Sequence, residues 1–142
     1  MVDEDVIITK LEQVNQYTNE LKQMRGVSRK EYLDDFVLQR AVERSLMNVI
    51  QSCIDLAAHI RADNSHTSAE TSRDEIDAVV QAEILTEPTG KKLEEAVGFR
   101  NLLAHRYGEI DHDVVYDVLQ DDLQWFEQFQ QEVAQWLQTE RE

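Results

Sequence analysis

Cysteine, proline and glycine are scarce in this chain of 142 residues, which has one cysteine, one proline and four glycines. The single Cys53 cannot form a disulfide within the chain, and no second cysteine could share a metal with it. Its apolar neighbours indicate an ordinary buried thiol. Because glycine and proline interrupt helices and form tight turns, their scarcity disfavours a sheet of short hairpins and favours long helices.

Basic residues and long apolar runs are also few. The chain has 14 Lys and Arg against 29 Asp and Glu, a formal net charge of −15. Proteins that bind nucleic acid over a broad surface are usually basic, so this charge excludes a general RNA or DNA coat. It does not exclude an enzyme whose positive charge is confined to one cleft. No apolar run approaches the length of a membrane span, and the acidic N-terminus is unlike a signal peptide. We therefore expect a cytoplasmic protein.

Hydrophobic residues make up 42% of the chain, which is enough for the core of one domain spanning residues 1–142. Apolar positions at steps of three and four predict a first helix over about residues 4–24. A capping box, Ser28 with Glu31, starts a helical pattern to about residue 62, with a possible break near residues 36–38. Leu33, Phe36 and Val37 are expected to begin the apolar stripe of that pattern.

The second half of the chain predicts further helices. Residues 63–71 read as a loop, and a capping box at residues 72–75 opens a short helix to about Leu85. Thr89 is expected to cap the next helix. Asp111 or Asp113 is expected to open a last helix, whose single apolar face runs from Val114 to Leu137. The fold class is therefore all-α, a bundle of five or six helices.

Residues 99–108 differ in chemistry from the acidic remainder of the chain. An arginine can grip phosphate oxygens in a forked geometry, and a histidine can exchange a proton near neutral pH. Arg100 and His105 have these properties and stand five positions apart, so they do not lie on one face of a straight helix. Basic groups at a helix end also stabilise the helix by interacting with its dipole. The spacing alone therefore favours a catalytic role and this structural role equally. The residues in question are Arg100, Asn101, His105, Arg106 and Tyr107.

The sequence Arg100-Asn101-Leu102-Leu103-Ala104-His105-Arg106-Tyr107 matches the Arg-x4-His-x-Tyr signature of HEPN-domain toxins of the HepT type. Segments 52–60, 93–98 and 114–129 also resemble that family in the same order, so the resemblance covers nearly the whole chain. It implies a HEPN-type helical bundle that acts as a homodimer. It further implies a metal-independent endoribonuclease without a cofactor, the toxin of a type VII toxin–antitoxin system that cleaves transfer or messenger RNA.

The resemblance also implies roles for the residues of the signature. Arg100 and His105 would be the catalytic pair and Asn101 their support, in an attack of the ribose 2′-hydroxyl that leaves a 2′,3′-cyclic phosphate. His105 would transfer the proton, and Arg100 would stabilise the extra charge on phosphorus. The implied partner is a minimal nucleotidyltransferase antitoxin of the MntA type, which transfers AMP to Tyr107. Arg106 is a candidate RNA contact.

Other polar residues favour ordinary structural roles. Asp55 and His59, four positions apart, are more typical of a helical pair than of a metal site. His66 and His112 have no obvious partners in the sequence. Three basic residues could line an RNA groove or simply be solvated: Arg73, Lys91 and Lys92.

Two other functions stay open from the residues alone. A helical bundle of this size can serve as a non-catalytic dimerisation module that binds a nucleotidyltransferase, and the acidic charge would suit such a role. The phosphate-binding residue types would also suit a nucleotide-binding helper of a transferase. Loss of growth arrest on His105→Ala distinguishes the first from a ribonuclease, and titration with ATP distinguishes the second.

Overall fold

The fold is known from a computed structural model that describes residues 3–64, 68–105 and 107–141. The described residues form seven α-helices and one short 3-10 helix, Tyr107–Glu109, with no strand among them. The helices are α1 (Glu4–Met24), α2 (Arg29–Leu33), α3 (Phe36–Asn64), α4 (Ser72–Gln81), α5 (Glu87–His105), α6 (His112–Asp121) and α7 (Leu123–Arg141).

The long helix α3 forms the centre of the bundle and packs against each of the other six helices. Its buried side chains include Leu46, Ile50, Leu56 and Ile60, all at most 1% exposed. Burying an aliphatic side chain of this kind contributes roughly 1.5–3 kcal/mol. A helix that is apolar over so wide an arc is expected at the centre of a bundle. The predicted all-α helical bundle is therefore confirmed.

Both predicted capping boxes are present, and the second lies one residue earlier than expected. The Ser28 hydroxyl accepts from the Glu31 N–H, and the Glu31 carboxylate accepts from the Ser28 N–H. In the second box the cap is Thr71 rather than Ser72, and its partner is Asp74. A shorter aspartate at the third helical position makes the same reciprocal pair as glutamate, which shifts the start of the helix by one residue.

The connection between α4 and α5 corrects two expectations. Helix α4 ends at Gln81 rather than Leu85, and α5 already begins at Glu87. Thr89 therefore lies inside α5 and is buried, so it does not cap the helix. Pro88 fits in the first turn because the backbone N–H groups there have no partner within the helix.

The prediction that Leu33, Phe36 and Val37 begin the apolar face of α3 is also wrong. Leu33, Phe36 and Val37 are 39%, 70% and 66% exposed. The chain turns between α2 and α3, and the Asp35 carboxylate caps the new helix by accepting from the Leu38 N–H at 3.1 Å. This turn resets the helical phase, so these three side chains do not continue the apolar face of α3.

A second break divides the predicted last helix and raises the helix count from five or six to seven. Helix α6 ends at Asp121, and α7 begins at Leu123. Val114 is 44% exposed, whereas Val115 and Leu119 are buried. The predicted continuous apolar face is therefore correct for α7. On α6 the buried residue at its start is Val115 and not Val114. Within the described ranges, no helix has the length and hydropathy needed to cross a membrane.

Candidate active site

The residues of the signature lie at the C-terminal end of α5. Arg100, Asn101 and His105 belong to the last two turns, and His105 is the final residue of the helix. The backbone of Tyr107 begins the 3-10 helix that follows. Arg106 and the side chain of Tyr107 lie outside the described part of the structure, so their predicted roles stay predictions.

One face of α5 lines an open groove of about 540 Å³. Its lining residues are Gly98, Asn101, Leu102 and His105. They share a face because they are spaced by three and four residues along the helix. His105 is exposed in this groove, so its imidazole is free to meet a ligand.

Arg100 is half-buried and reaches from α5 to α3. Its Nη1 donates a hydrogen bond to Oε1 of Gln51. The Gln51 Nε2 in turn donates to Oδ1 of Asp55 at 2.8 Å. Because an amide has a distinct donor end and acceptor end, the bond to Asp55 directs the Gln51 oxygen toward the guanidinium. Gln51 was not predicted as a site residue, although its i,i+4 spacing from Asp55 on the central helix was a usable signal.

Asn101 contacts Arg100 and also lines the groove that contains His105. Its Oδ1 accepts hydrogen bonds from Arg100 Nη2 at 2.6 Å and Arg100 Nε at 3.2 Å. Arg100 itself is not among the groove-lining residues. Five residues advance a helix by about 140° beyond one full turn. Within one chain, Arg100 and His105 therefore face different directions, as their spacing predicts.

Among the residues that the structure describes, the guanidinium of Arg100 hydrogen-bonds to neutral partners alone. Both residues that accept its hydrogen bonds, Gln51 and Asn101, are amides. Within the described residues no ion pair joins Arg100 to a carboxylate, although the chain carries 29 of them. Its charge is positioned but not neutralised, as a phosphate-binding site requires.

The three other predicted basic residues differ in their surroundings. Lys92 lies 3.8 Å from a Glu95 oxygen and 5.7 Å from the centre of the Trp125 ring. Lys91 is exposed on the same helix. Arg73, on α4, extends its guanidinium to the backbone of α5. Lys92 is therefore engaged in local contacts, and only Arg73 is placed against the groove-lining face.

The histidines outside the signature also have local surroundings. His59 lies 3.1 Å from Asp63 through Nε2, so the expected pairing with Asp55 is wrong. Asp63 is placed one turn further along α3, whereas Asp55 is occupied by the Gln51 amide. His112 was expected to lack a partner, but its Nδ1 lies 3.6 Å from a carboxylate oxygen of the buried Glu43. His66 lies outside the described residues.

The single cysteine and the apolar cavity of the bundle show no catalytic arrangement. Cys53 is buried, as predicted, and burial raises the pKa of its thiol. A largely apolar cavity of about 180 Å³ lies on another side of α5, between Phe99, Trp125 and Asp122. Partial burial raises the pKa of Asp122, and the nearby Lys92 charge opposes that rise. Among the described residues, no group of three or more His, Cys, Asp or Glu is arranged to hold a metal.

Comparison with known proteins identifies the family. Residues 10–133 match the family described as Ribonuclease HepT-like. The chain is 33% identical over 125 residues to the mRNA nuclease HepT of Shewanella oneidensis, covering 88% of this chain and 93% of that protein. It is 28% identical over 134 residues to the tRNA nuclease HepT of Aphanizomenon flos-aquae, covering 94% of this chain and 91% of that protein.

A solved structure shares both the fold and the sequence resemblance. It is the tri-AMPylated Shewanella oneidensis HEPN toxin in complex with MNT antitoxin. The TM-score is 0.85 at 32% identity, and the match covers 92% of this chain and 97% of that chain. The family inferred from the Arg-x4-His-x-Tyr signature is thereby confirmed. This chain belongs to the HepT-like ribonuclease family.

Proposed function

We propose that this chain is the toxin of a cytoplasmic toxin–antitoxin pair and that it cleaves RNA, without a metal ion, through Arg100 and His105. The observation that carries the proposal is the arrangement around Asn101. Its side chain holds the guanidinium of Arg100 and lines the same groove as the exposed His105. An unneutralised cation and a titratable imidazole are thus linked through one residue of α5.

These groups suit transesterification of an RNA phosphodiester. The 2′-hydroxyl oxygen attacks the adjacent phosphorus and gives up its proton, while the bond from phosphorus to the 5′ oxygen breaks. The products are a 2′,3′-cyclic phosphate and a 5′-hydroxyl that has gained a proton. His105 moves one of these protons, because imidazole titrates near neutral pH. Arg100 stabilises the added negative charge on the phosphorane oxygens.

The directions of Arg100 and His105 support a composite site in a homodimer. Within one chain the two side chains diverge from α5, since Arg100 bonds to α3 and His105 faces the groove. In the proposed dimer a two-fold axis would bring the α5 helices of two copies face to face, so that Arg100 of one subunit would lie near the partner's His105. Each of the two symmetric sites then contains both catalytic groups.

The proposed antitoxin is a nucleotidyltransferase of the MntA type that adds AMP units to Tyr107. The support is the solved Shewanella toxin, which is tri-AMPylated and bound to an MNT antitoxin. Tyr107 follows His105 by two residues, at the end of α5. Nucleotides attached there would add bulk and negative charge beside the groove, and both oppose the entry of an RNA phosphate.

The deciding experiment is cleavage of transfer RNA and total RNA in EDTA by wild-type protein and the His105→Ala variant. Intact mass first establishes that the protein carries no AMP on Tyr107, since modified protein would be inactive. We expect wild type to cleave and the variant to lose about 10²–10⁴-fold in rate, the usual contribution of positioned acid–base catalysis.

The control is thermal unfolding of both proteins. His105 is exposed, so its replacement should leave Tm nearly unchanged. Equal cleavage by the two proteins would show that His105 is not part of the chemistry. Cleavage that EDTA abolishes would show that the reaction needs a metal. Absence of cleavage by unmodified wild-type protein on every RNA tested would contradict the proposed activity.

A further inference from the structure

Arg73 of α4 lies against the helix that carries the signature. Its Nη2 is 2.8 Å from the position that a Cβ atom on Gly98 would occupy. A real side chain atom at that position would overlap the guanidinium. Gly98 lines the same groove as Asn101 and His105, so Arg73 places a second positive group beside the candidate active site.

Gly98 leaves room for the Arg73 guanidinium to come this close. Glycine is unfavourable in the middle of a helix relative to alanine, and Gly98 stands well inside α5. No glycine in the described residues has a positive φ, so backbone freedom does not explain its presence. Among the described residues, the Arg73 guanidinium is the one group within 4 Å of the position that a Cβ on Gly98 would occupy. It is the far end of a flexible side chain, so the missing Cβ allows this approach but does not require it.

Arg73 is exposed and its charge is unpaired. Within the described ranges no carboxylate forms an ion pair with it, and the same holds for Lys10, Arg25, Arg44, Lys91 and Arg100. Most other basic side chains of this acidic protein are paired at 2.5–3.8 Å, namely Lys22, Arg29, Lys30, Arg40, Arg61, Lys92 and Arg141. Arg100 is unpaired as well, but it leaves α5 on another face, so Arg73 is the unpaired cation that lies beside the groove-lining Gly98.

We propose that Arg73 forms a second phosphate-binding site at the edge of the groove, beside Gly98, where it holds the RNA backbone next to the nucleotide that is cleaved. This inference rests on the proposed ribonuclease function and extends it. Seven residues separate Gly98 from His105, about 10 Å along the helix axis. That separation suits the phosphate of a neighbouring nucleotide rather than the scissile phosphate. A guanidinium presents paired donors to phosphate oxygens, so an arginine fits this task.

The test measures RNA binding and RNA cleavage separately. Binding is measured by fluorescence anisotropy with a short labelled single-stranded RNA of mixed sequence, in a His105→Ala background that prevents cleavage. The variants are Arg73→Ala, Gly98→Ala and the double variant. The control is Arg25→Ala, which removes the same charge just after α1, a helix that packs mainly on α3 and α7.

We expect Arg73→Ala to weaken RNA binding about tenfold at low salt. The slope of log affinity against log salt should fall in magnitude by about 0.7, the value for one phosphate contact on single-stranded nucleic acid. In the cleavage assay with His105 intact, KM should rise while kcat stays nearly constant. Arg25→Ala should leave the RNA affinity and the salt slope close to wild type.

Gly98→Ala distinguishes a loss of the site from a loss of the fold. Alanine favours the helix, so this variant should unfold at the same temperature or higher. Its Cβ meets the far end of the flexible Arg73 side chain, so the guanidinium should shift slightly and RNA affinity should fall by less than in Arg73→Ala. In the Arg73→Ala background the same change should cost no further affinity, because the guanidinium is already absent.

Several results would overturn the proposal. Equal RNA affinity for Arg73→Ala and wild type, with cleavage by wild type intact, would reject this site and leave the proposed function standing. A change in sedimentation on Arg73→Ala without a change in salt slope would instead assign Arg73 to contact between subunits. If wild type neither binds nor cleaves RNA, the proposed function fails and this site fails with it.

Discussion

Gln51 and Asn101 together determine where the Arg100 guanidinium lies, and Gln51 is the partner on the central helix. One end of its amide accepts from Arg100, and the other end donates to Asp55 at 2.8 Å. A neutral acceptor fixes the direction of a cation and leaves its charge free for a phosphate, whereas a carboxylate would neutralise it. Gln51 touches no substrate atom in the proposed reaction, so it is a positioning residue.

We therefore expect Gln51→Ala to lower kcat for RNA cleavage by about tenfold or more, the usual value of a hydrogen bond to a charged group. KM should change little, because Arg100 keeps its charge and loses only its fixed position. Steady-state kinetics on a defined RNA substrate would measure both constants.

The matched control is Gln131→Ala, which removes an exposed glutamine from α7. That variant should keep both constants and the Tm of wild type. If Gln51→Ala raises KM and leaves kcat unchanged, Gln51 supports substrate binding rather than the orientation of Arg100.

At the scale of the element, two neighbouring helices fix the start of α5. The Glu132 carboxylate of α7 accepts from the Thr86 N–H at 2.7 Å and from the Thr89 hydroxyl at 2.6 Å. Gly90 lies against Val80 of α4, where an added Cβ would be only 2.3 Å from a Val80 methyl carbon. This close packing sets the position of α5, and with it the position of the groove at its other end.

Gly90→Ala is therefore expected to destabilise the protein by about 1–3 kcal/mol, the usual cost of overpacking a core. Intrinsic helix propensity alone predicts the opposite sign, since alanine is favoured over glycine by about 1 kcal/mol within a helix. Urea denaturation followed by circular dichroism would measure the free energy of unfolding.

Two further variants establish the cause. Gly26→Ala changes a glycine with no atom within 4 Å of the added Cβ, so its effect should lie within about 0.5 kcal/mol. Val80→Ala in combination with Gly90→Ala should recover part of the loss, because the clashing methyl is removed. An unchanged or greater stability for Gly90→Ala alone would refute close packing at this contact.

At the scale of the whole molecule, the proposed composite site makes a prediction about mixed dimers. Arg100→Ala and His105→Ala should each be inactive as pure proteins. In a mixed dimer, the arginine of one subunit meets the histidine of the other in one of the two sites. Random exchange of equal amounts should therefore restore about a quarter of the wild-type activity.

The measurement is RNA cleavage after the two inactive variants are mixed under conditions that allow subunit exchange. Mass spectrometry of the intact dimers would establish that mixed dimers have formed. Mixed dimers without activity would show that Arg100 and His105 act within one chain. Activity in proportion to the mixed dimers would support the composite site.

The sequence by itself determined the features that depend on nearby residues. The apolar period gave the helical class, and the Ser28 capping box gave the start of α2, since each involves contacts within a few positions. The signature segment 99–108 likewise identified the family without a structure. The predicted burial was wrong for Leu33, Phe36 and Val37 and for Val114. Each break between helices changes the direction in which the following side chains point, so a continuous helical period does not extend across it.

Only the tertiary structure decided which distant groups meet. Gln51 and Arg100 are 49 positions apart, and no local pattern connects them. The approach of Arg73 to Gly98 depends on how α4 packs against α5, and a lone helical glycine does not reveal it. A helical period fixes which side chains share a face, whereas the partner of that face depends on packing across the whole bundle.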